Sequence, residues 1–269
     1  MRIVKINKQR MVFVVSVLSL SFINAITAFA TSWQWMDMNS DGIAECYCFD
    51  EDGYTMKSGT TPDGYTVNTD GQWVENDVVQ TKTIPLEYQS IIEYTKKYVN
   101  EEVDFDDPYH SYFEQYLPTD PPRIYNFGYC LKDIDADGID ELILTASYEN
   151  SSEDPYIYAI VTTQDGHLVP ILSRGGQRNG YYLCQNGIIS NEGSSGADYT
   201  SYSYYKLVNK SMQLIDEVYT HPTDYDHRIG WYYSTSMKTT EEQVDISTAQ
   251  KIIDGHVHQK IIITDIKRN

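Results

Sequence analysis

Residues 125–148 read YNFGYCLKDIDADGIDELILTASY. Two apolar runs, Tyr125–Ile134 and Glu141–Tyr148, flank an acidic stretch that contains the turn dipeptide Asp137-Gly138. Aromatic and β-branched residues favour strands, and Asp-Gly between two such runs predicts a hairpin. The pattern continues downstream. Tyr156–Thr163, Leu168–Ser173, Gly180–Cys184, Gly187–Asn191 and Tyr202–Val208 read as further strands, with turns at Asp165-Gly166 and Asn186-Gly187. Met212–Tyr219 and Lys260–Ile266 add two more. Pro170 lacks a backbone donor, which confines its run to a sheet edge. Gly193-Ser194-Ser195-Gly196 reads as a loop. Ser247 is placed to cap a short helix running to about Asp254, with Gly255 as its stop. Residues 124–269 are therefore expected to form a β-rich domain, an antiparallel meander with one or two helices, and the chain as a whole to be α+β.

Upstream, the pattern changes twice. Leu86–Glu102 carries Leu86, Ile91, Ile92, Tyr94, Tyr98 and Val99 near helical spacing, which predicts an amphipathic helix after a linker at Val78–Pro85. Asp104–Pro122 is acidic and irregular, with a short helical piece expected at Tyr109–Tyr116, so 81–123 is read as linker and helix. Residues 31–80 are short of aliphatic residues but contain Asp41-Gly42, Asp52-Gly53, Asp63-Gly64 and Asp70-Gly71. Short strands between Asp-Gly turns make β-hairpin repeats. Their aromatics would have to supply the core by stacking along the array.

The first ten residues hold Arg2, Lys5, Lys8 and Arg10, an apolar stretch follows to Phe29, and Ala28-Phe29-Ala30 ends it. A basic start, an apolar middle and an A-x-A end predict a secretory signal over 1–30 rather than a retained membrane anchor. The product is expected outside the cell, with no transmembrane anchor after cleavage. Loss of those four positive charges takes the net charge from −19 to −23. Such a chain repels phosphate backbones, which argues against nucleic acid.

Asp133, Asp135 and Asp137 at positions one, three and five, Gly138 at six and Glu141 at nine form an oxygen-ligand pattern suited to calcium. Leu144 stands where an EF-hand needs its twelfth-position Glu, and the flanks are strands. The loop resembles the strand–loop–strand calcium loop of FG-GAP repeats. Asp37, Asn39, Asp41, Gly42 and Glu45 repeat the offsets in a weaker copy. The alternative for both is a solvated acidic hairpin turn with no ion.

Trp33-Gln34-Trp35, Tyr47-Cys48-Phe49-Asp50, the Gly53 turn with Tyr54, and Asp63-Gly64-Tyr65 leading to Gly71-Gln72-Trp73 form an aromatic series. It resembles the choline-binding-type cell-wall-binding repeats of Gram-positive bacteria, over about residues 31–80. The resemblance implies attachment to a wall polymer, the choline of teichoic acid or a glycan, held over aromatic faces by cation–π attraction. Carried over, the cage residues are Trp33, Trp35, Tyr47, Tyr54, Tyr65 and Trp73; the alternative is that these rings are only the core of a small β module. The array is short, and its aromatic triplet is reduced to Tyr47-Cys48-Phe49. More loosely, the C-terminal region resembles exported domains of clostridia-like bacteria, which bring no activity with them.

Cys130–Cys184 is the more plausible disulfide, with four free thiols as the alternative. His256 and His258 share a strand face without an identifiable third metal ligand, and His221, Asp224, Asp226 and His227 make a polar loop. The reading that follows is a secreted, non-catalytic wall-binding protein with a calcium-stiffened outer domain. The competing reading is a wall or polysaccharide hydrolase targeted by residues 31–80, which predicts a convergent acid or nucleophile site in 86–269.

Overall fold

The computed structural model describes residues 32–104, 106, 110–117, 125–148, 154–173, 179–196, 198–223, 228–237 and 239–267. The 1–30 segment and Asp224, Asp226 and His227 lie outside them. Among the described residues, no helix is long and apolar enough to cross a membrane.

The quoted hairpin forms as read. β8 (Tyr125–Lys132) and β9 (Glu141–Tyr148) pair antiparallel, with Leu131 opposite Leu142. β10 (Tyr156–Gln164) follows beside β9. Six of the eight β9 residues and seven of the nine in β10 are buried, so both faces of these strands are covered. That explains why they read as continuous apolar runs rather than alternating ones. α1 (Leu86–Val99) covers one face with Tyr88, Ile91 and Val99, which join Leu142, Leu144 and Tyr158 in one core cluster. Ile143, Ile157 and Ile160 join Leu183, Ile189 and Leu207 in a second cluster.

The meander continues through β12 (Asn179–Leu183), β13 (Ile188–Gly196), β14 (Tyr199–Val208), β15 (Ser211–Pro222), β16 (Ile229–Ser234) and β17 (Glu242–Val244). Each pairs antiparallel with the next. β11 (His167–Leu172), which contains Pro170, pairs with β10 alone, in keeping with an edge position. The Gly193–Gly196 loop reading is corrected: Gly193 pairs with Ser201 and Ser194 with Thr200 in β13–β14. Residues without large side chains carry no strand signal, but their backbones pair when the flanking register carries them on. β16 and β17 had no counterpart in the sequence reading. α2 (Ile246–Asp254) is capped by Asp245, not Ser247; the Asp245 Oδ1 accepts the Thr248 N–H at 2.7 Å. Only Thr264–Ile266, β18, of the expected Lys260–Ile266 strand is extended in the sheet.

Strand pairing crosses the compositional boundary at residue 80. β1 (Ser32–Met36) and β2 (Ile43–Phe49) form a hairpin whose β1 pairs with β8 through Trp35 and Leu131. β7 (Thr81–Thr83) closes that side of the sheet against β2. Only β3 (Gly59–Thr60), β4 (Thr66–Val67), β5 (Trp73–Glu75) and β6 (Val78–Val79) form a separate four-stranded sheet.

Three turns in this region share one geometry. At Asp50, Thr61 and Asn68, the N–H of residue i bonds the carbonyl of i+4, and the N–H of i+3 bonds the carbonyl of i. The i+3 residue is Gly53, Gly64 or Gly71, each with φ between +85 and +94. The Asp50, Thr61 or Asn68 side chain accepts the N–H of residue i+4 in all three. The repeat seen in the Asp-Gly dipeptides is thus a repeat of hydrogen-bonded turns.

Gly187 has φ +69, and a Cβ added there would lie 2.3 Å from the Ile134 carbonyl oxygen. Gly187→Ala is expected to lower stability by about 2–3 kcal/mol, measured as a drop in the urea midpoint. An unchanged midpoint would show that the Ile134 turn yields to a methyl group.

Candidate functional sites

β1 alternates Trp33 and Trp35 onto one face, opposite Cys48 and Cys46 of β2. The second and third repeated turns bring Tyr65 and Trp73 over that face. Trp73 is the hub: its ring centroid lies 5.4 Å from Tyr65, 6.1 Å from Trp33 and 6.5 Å from Trp35. Trp33 and Tyr65 meet edge to face at 5.6 Å. Together with Cys46 and Asp63 these rings line an open recess of about 360 Å³.

Two of the six expected cage residues are elsewhere. Tyr47 alternates to the opposite face of β2, where its hydroxyl accepts from Gln72 Nε2 at 3.3 Å. Tyr54 ends the first repeated turn, is 73 % exposed, and does not line the recess.

Two charged residues that the sequence reading missed stand beside the indoles, Asp63 in the lining of the recess and Lys82 over the Trp35 ring. Asp63 Oδ2 accepts the Trp33 indole N–H at 2.7 Å and its Oδ1 accepts the Thr61 hydroxyl at 2.6 Å. Desolvation opposes its charge, but those two hydrogen bonds outweigh it and hold the carboxyl below its ordinary range. Lys82 Nζ stands 5.4 Å from the Trp35 ring centroid and 2.5 Å from Asp140 Oδ2. Asp63 was legible as part of an Asp-Gly turn; Lys82 carried no signal, because its partners are 47 and 58 residues away.

The two acidic loops fold alike. Asp37 and Asp133 each accept the N–H of the fifth loop residue at 3.1 Å and that of the Gly at 2.9 Å. Gly42 and Gly138 take φ +82 and +89, and the preceding Ser40 and Ala136 take +60 and +61. Their carboxylates diverge. Asp133, Asp135 and Glu141 bring one ligand oxygen each to within 4.8 Å of one another, close enough to hold a metal ion. Asp137 is not in that group; its Oδ1 accepts the Ile139 N–H at 2.8 Å. The first loop forms no such group among the described residues. Its Asn39 donates to Asp41 Oδ2 at 3.0 Å, tying two expected ligands to each other. Glu45, its ninth residue, lies in β2 opposite Met36.

Glu141 is 1 % exposed and its Oε2 accepts the Ile134 N–H at 2.9 Å. Burial pushes its pKa up to about 7, reinforced by the field of Asp135. Burial also raises Asp135, whose buried Oδ1 has no hydrogen-bond partner. Three carboxyls brought together in this way carry an electrostatic strain that a bound cation would relieve.

A carboxyl raised from 4.5 to about 7 favours the protonated folded state, so stability falls as pH rises across that window and levels above it. In chelator, Glu141→Gln is therefore expected to be more stable than wild type at about pH 8, by up to ~3 kcal/mol, and little different at about pH 4. Denaturant titrations at the two values test this; equal differences would show that Glu141 ionises freely.

Protein-family profiles, curated proteins and solved structures were compared with the chain. None matches.

The remaining candidates have structural partners. His258 Nε2 lies 2.5 Å from Glu192 Oε1 with its ring stacked on Tyr182, and His256 Nε2 lies 3.3 Å from Asp216 Oδ2 with its ring stacked on Tyr204. The pair pins the chain across the sheet. His221 stacks on Tyr232 at 3.8 Å. All four cysteines are free and buried. The Cys130–Cys184 bridge does not form; the path between them crosses β9 and β10, about 14 Å along the sheet against a disulfide reach of about 7 Å. Burial pushes Cys46 and Cys130 up to about 12 and Cys48 to about 11, so these thiols stay protonated. Ser194 donates its hydroxyl to the Gly196 carbonyl at 2.8 Å.

Proposed function

We propose that this is a secreted, non-catalytic binding protein of the cell wall, which recognises wall choline or glycan through its aromatic recess. The observation that carries the reading is the convergence of Trp33, Trp35, Tyr65 and Trp73 on one open recess. Aromatic faces bind both a quaternary ammonium and the apolar face of a sugar. The Asp63 carboxylate at the rim adds attraction for a cation. The Asp133–Asp135–Glu141 group holds calcium and stiffens the β8–β9 hairpin. Oxygen donors alone suit a hard cation.

The test is retention of the protein lacking residues 1–30 on a choline-bearing resin and on insoluble wall glycan. Retention that free choline or soluble glycan reverses is the expected result. Passage through both would sink the binding reading and return attention to a hydrolase.

A further inference from the structure

β1 and β18 pair with the same edge of β8, end to end. Trp35 of β1 stands opposite Leu131, and Thr264 of β18 opposite Tyr129. Because β1 peels away at Asp37, the sheet is interrupted there. α1 roofs the interruption, leaving a second cavity of about 240 Å³ separate from the aromatic recess.

Three polar side chains lining it are more than nine-tenths buried: Asp37 at 4 %, Tyr129 at 4 % and Thr264 at 6 % exposure. Thr264 Oγ1 has no hydrogen-bond partner. Such a hydroxyl is normally satisfied in a folded protein, and the polar group within its reach is the Tyr129 phenol on the same floor. Asp37 accepts one backbone N–H on each oxygen, which leaves half of a carboxylate's acceptor capacity open. Burial raises the Tyr129 phenol to about 12, the field of Asp37 adds to the shift and interaction with the Thr264 hydroxyl opposes it, as expected for three neighbours on one floor.

The outer lining has the opposite sign. Lys96, in the last turn of α1, is half-buried and Lys267 is exposed; one acid, Asp265, offsets part of their charge. Ile92, Ile263 and Ile266 supply apolar wall. The lining therefore has a buried acid with hydroxyls, ammonium groups at the rim and an aliphatic side, in a volume below the ~300–1,000 Å³ of drug-sized sites.

We propose that this cavity binds a free α-amino acid with an aliphatic side chain. Its ammonium faces Asp37, Tyr129 and Thr264, its carboxylate meets Lys96 and Lys267, and its side chain lies on the three isoleucines. This site is independent of the wall-binding reading.

Calorimetry with L-leucine, L-leucinamide and N-acetyl-L-leucine tests it, since the two derivatives each lack one charge. Leucine is expected to bind saturably, and both derivatives about tenfold or more weakly. Lys96→Met should weaken leucine about tenfold while leaving leucinamide unchanged. Thr264→Val should weaken leucine and leucinamide together. Lys96→Met is on the helix surface and keeps the test intact if Thr264→Val misfolds. No saturable heat from leucine up to about 10 mM, or equal binding of all three compounds, would overturn the assignment.

Discussion

Trp73→Ala is expected to have the largest single effect on this protein, abolishing retention on the choline or glycan support and lowering stability together. Trp73 alone touches each of the other three rings, at 5.4, 6.1 and 6.5 Å. Truncating a ring in such a cluster removes its transfer free energy and three aromatic contacts, about 3 kcal/mol or more. Loss of binding by that variant alone would not separate a recognition surface from a small core. Tyr65→Ala does. Tyr65 is exposed, so its loss should lower the unfolding free energy by only about 1 kcal/mol while reducing retention as far as Trp73→Ala does. If Tyr65→Ala is retained like wild type, the rings are a packing cluster and the recess is not the ligand surface.

Calcium is expected to raise the unfolding temperature by about 5–10 °C at a hundredfold excess over its Kd, which corresponds to about 2.7 kcal/mol. The decisive variant is Asp135→Asn. Asp133 caps the loop backbone, so replacing it damages the apo hairpin, and replacing Glu141 changes apo stability with pH through its buried carboxyl. Asp135 Oδ1 has no such duty. Asp135→Asn should therefore match or exceed wild-type stability in chelator and lose most of the calcium response. Differential scanning calorimetry with and without calcium reads both. A wild-type transition that calcium leaves in place would remove the ion from the reading and leave two acidic turns.

The class of fold was legible because strand runs and Asp-Gly turns are local. Tyr125–Ile134 with Glu141–Tyr148, and the helix at Leu86, follow from side-chain periodicity and turn chemistry within a few residues. The repeated turns were visible for the same reason. Gly193–Gly196 and the strands at Ile229 and Glu242 were not, because register inherited from a neighbouring strand leaves no mark on small or mixed residues. At the recess, the sequence supplied six aromatic names. Strand alternation then sent Tyr47 to the far face, and a turn left Tyr54 in solvent.

The sequence by itself determined the local units: hairpins, turns with positive-φ glycines, an amphipathic helix, and two acidic loops with the same hydrogen-bond geometry. Only the tertiary structure decided which units meet. It joined β1 to β8 across the compositional boundary, set Asp63 and Lys82 beside the indoles, and drew Asp133, Asp135 and Glu141 together while Asn39 and Asp41 turned to each other. Local structure depends on neighbours in the chain, whereas a site depends on side chains from distant segments reaching one point. That convergence is set by packing and burial, which no short window of sequence contains.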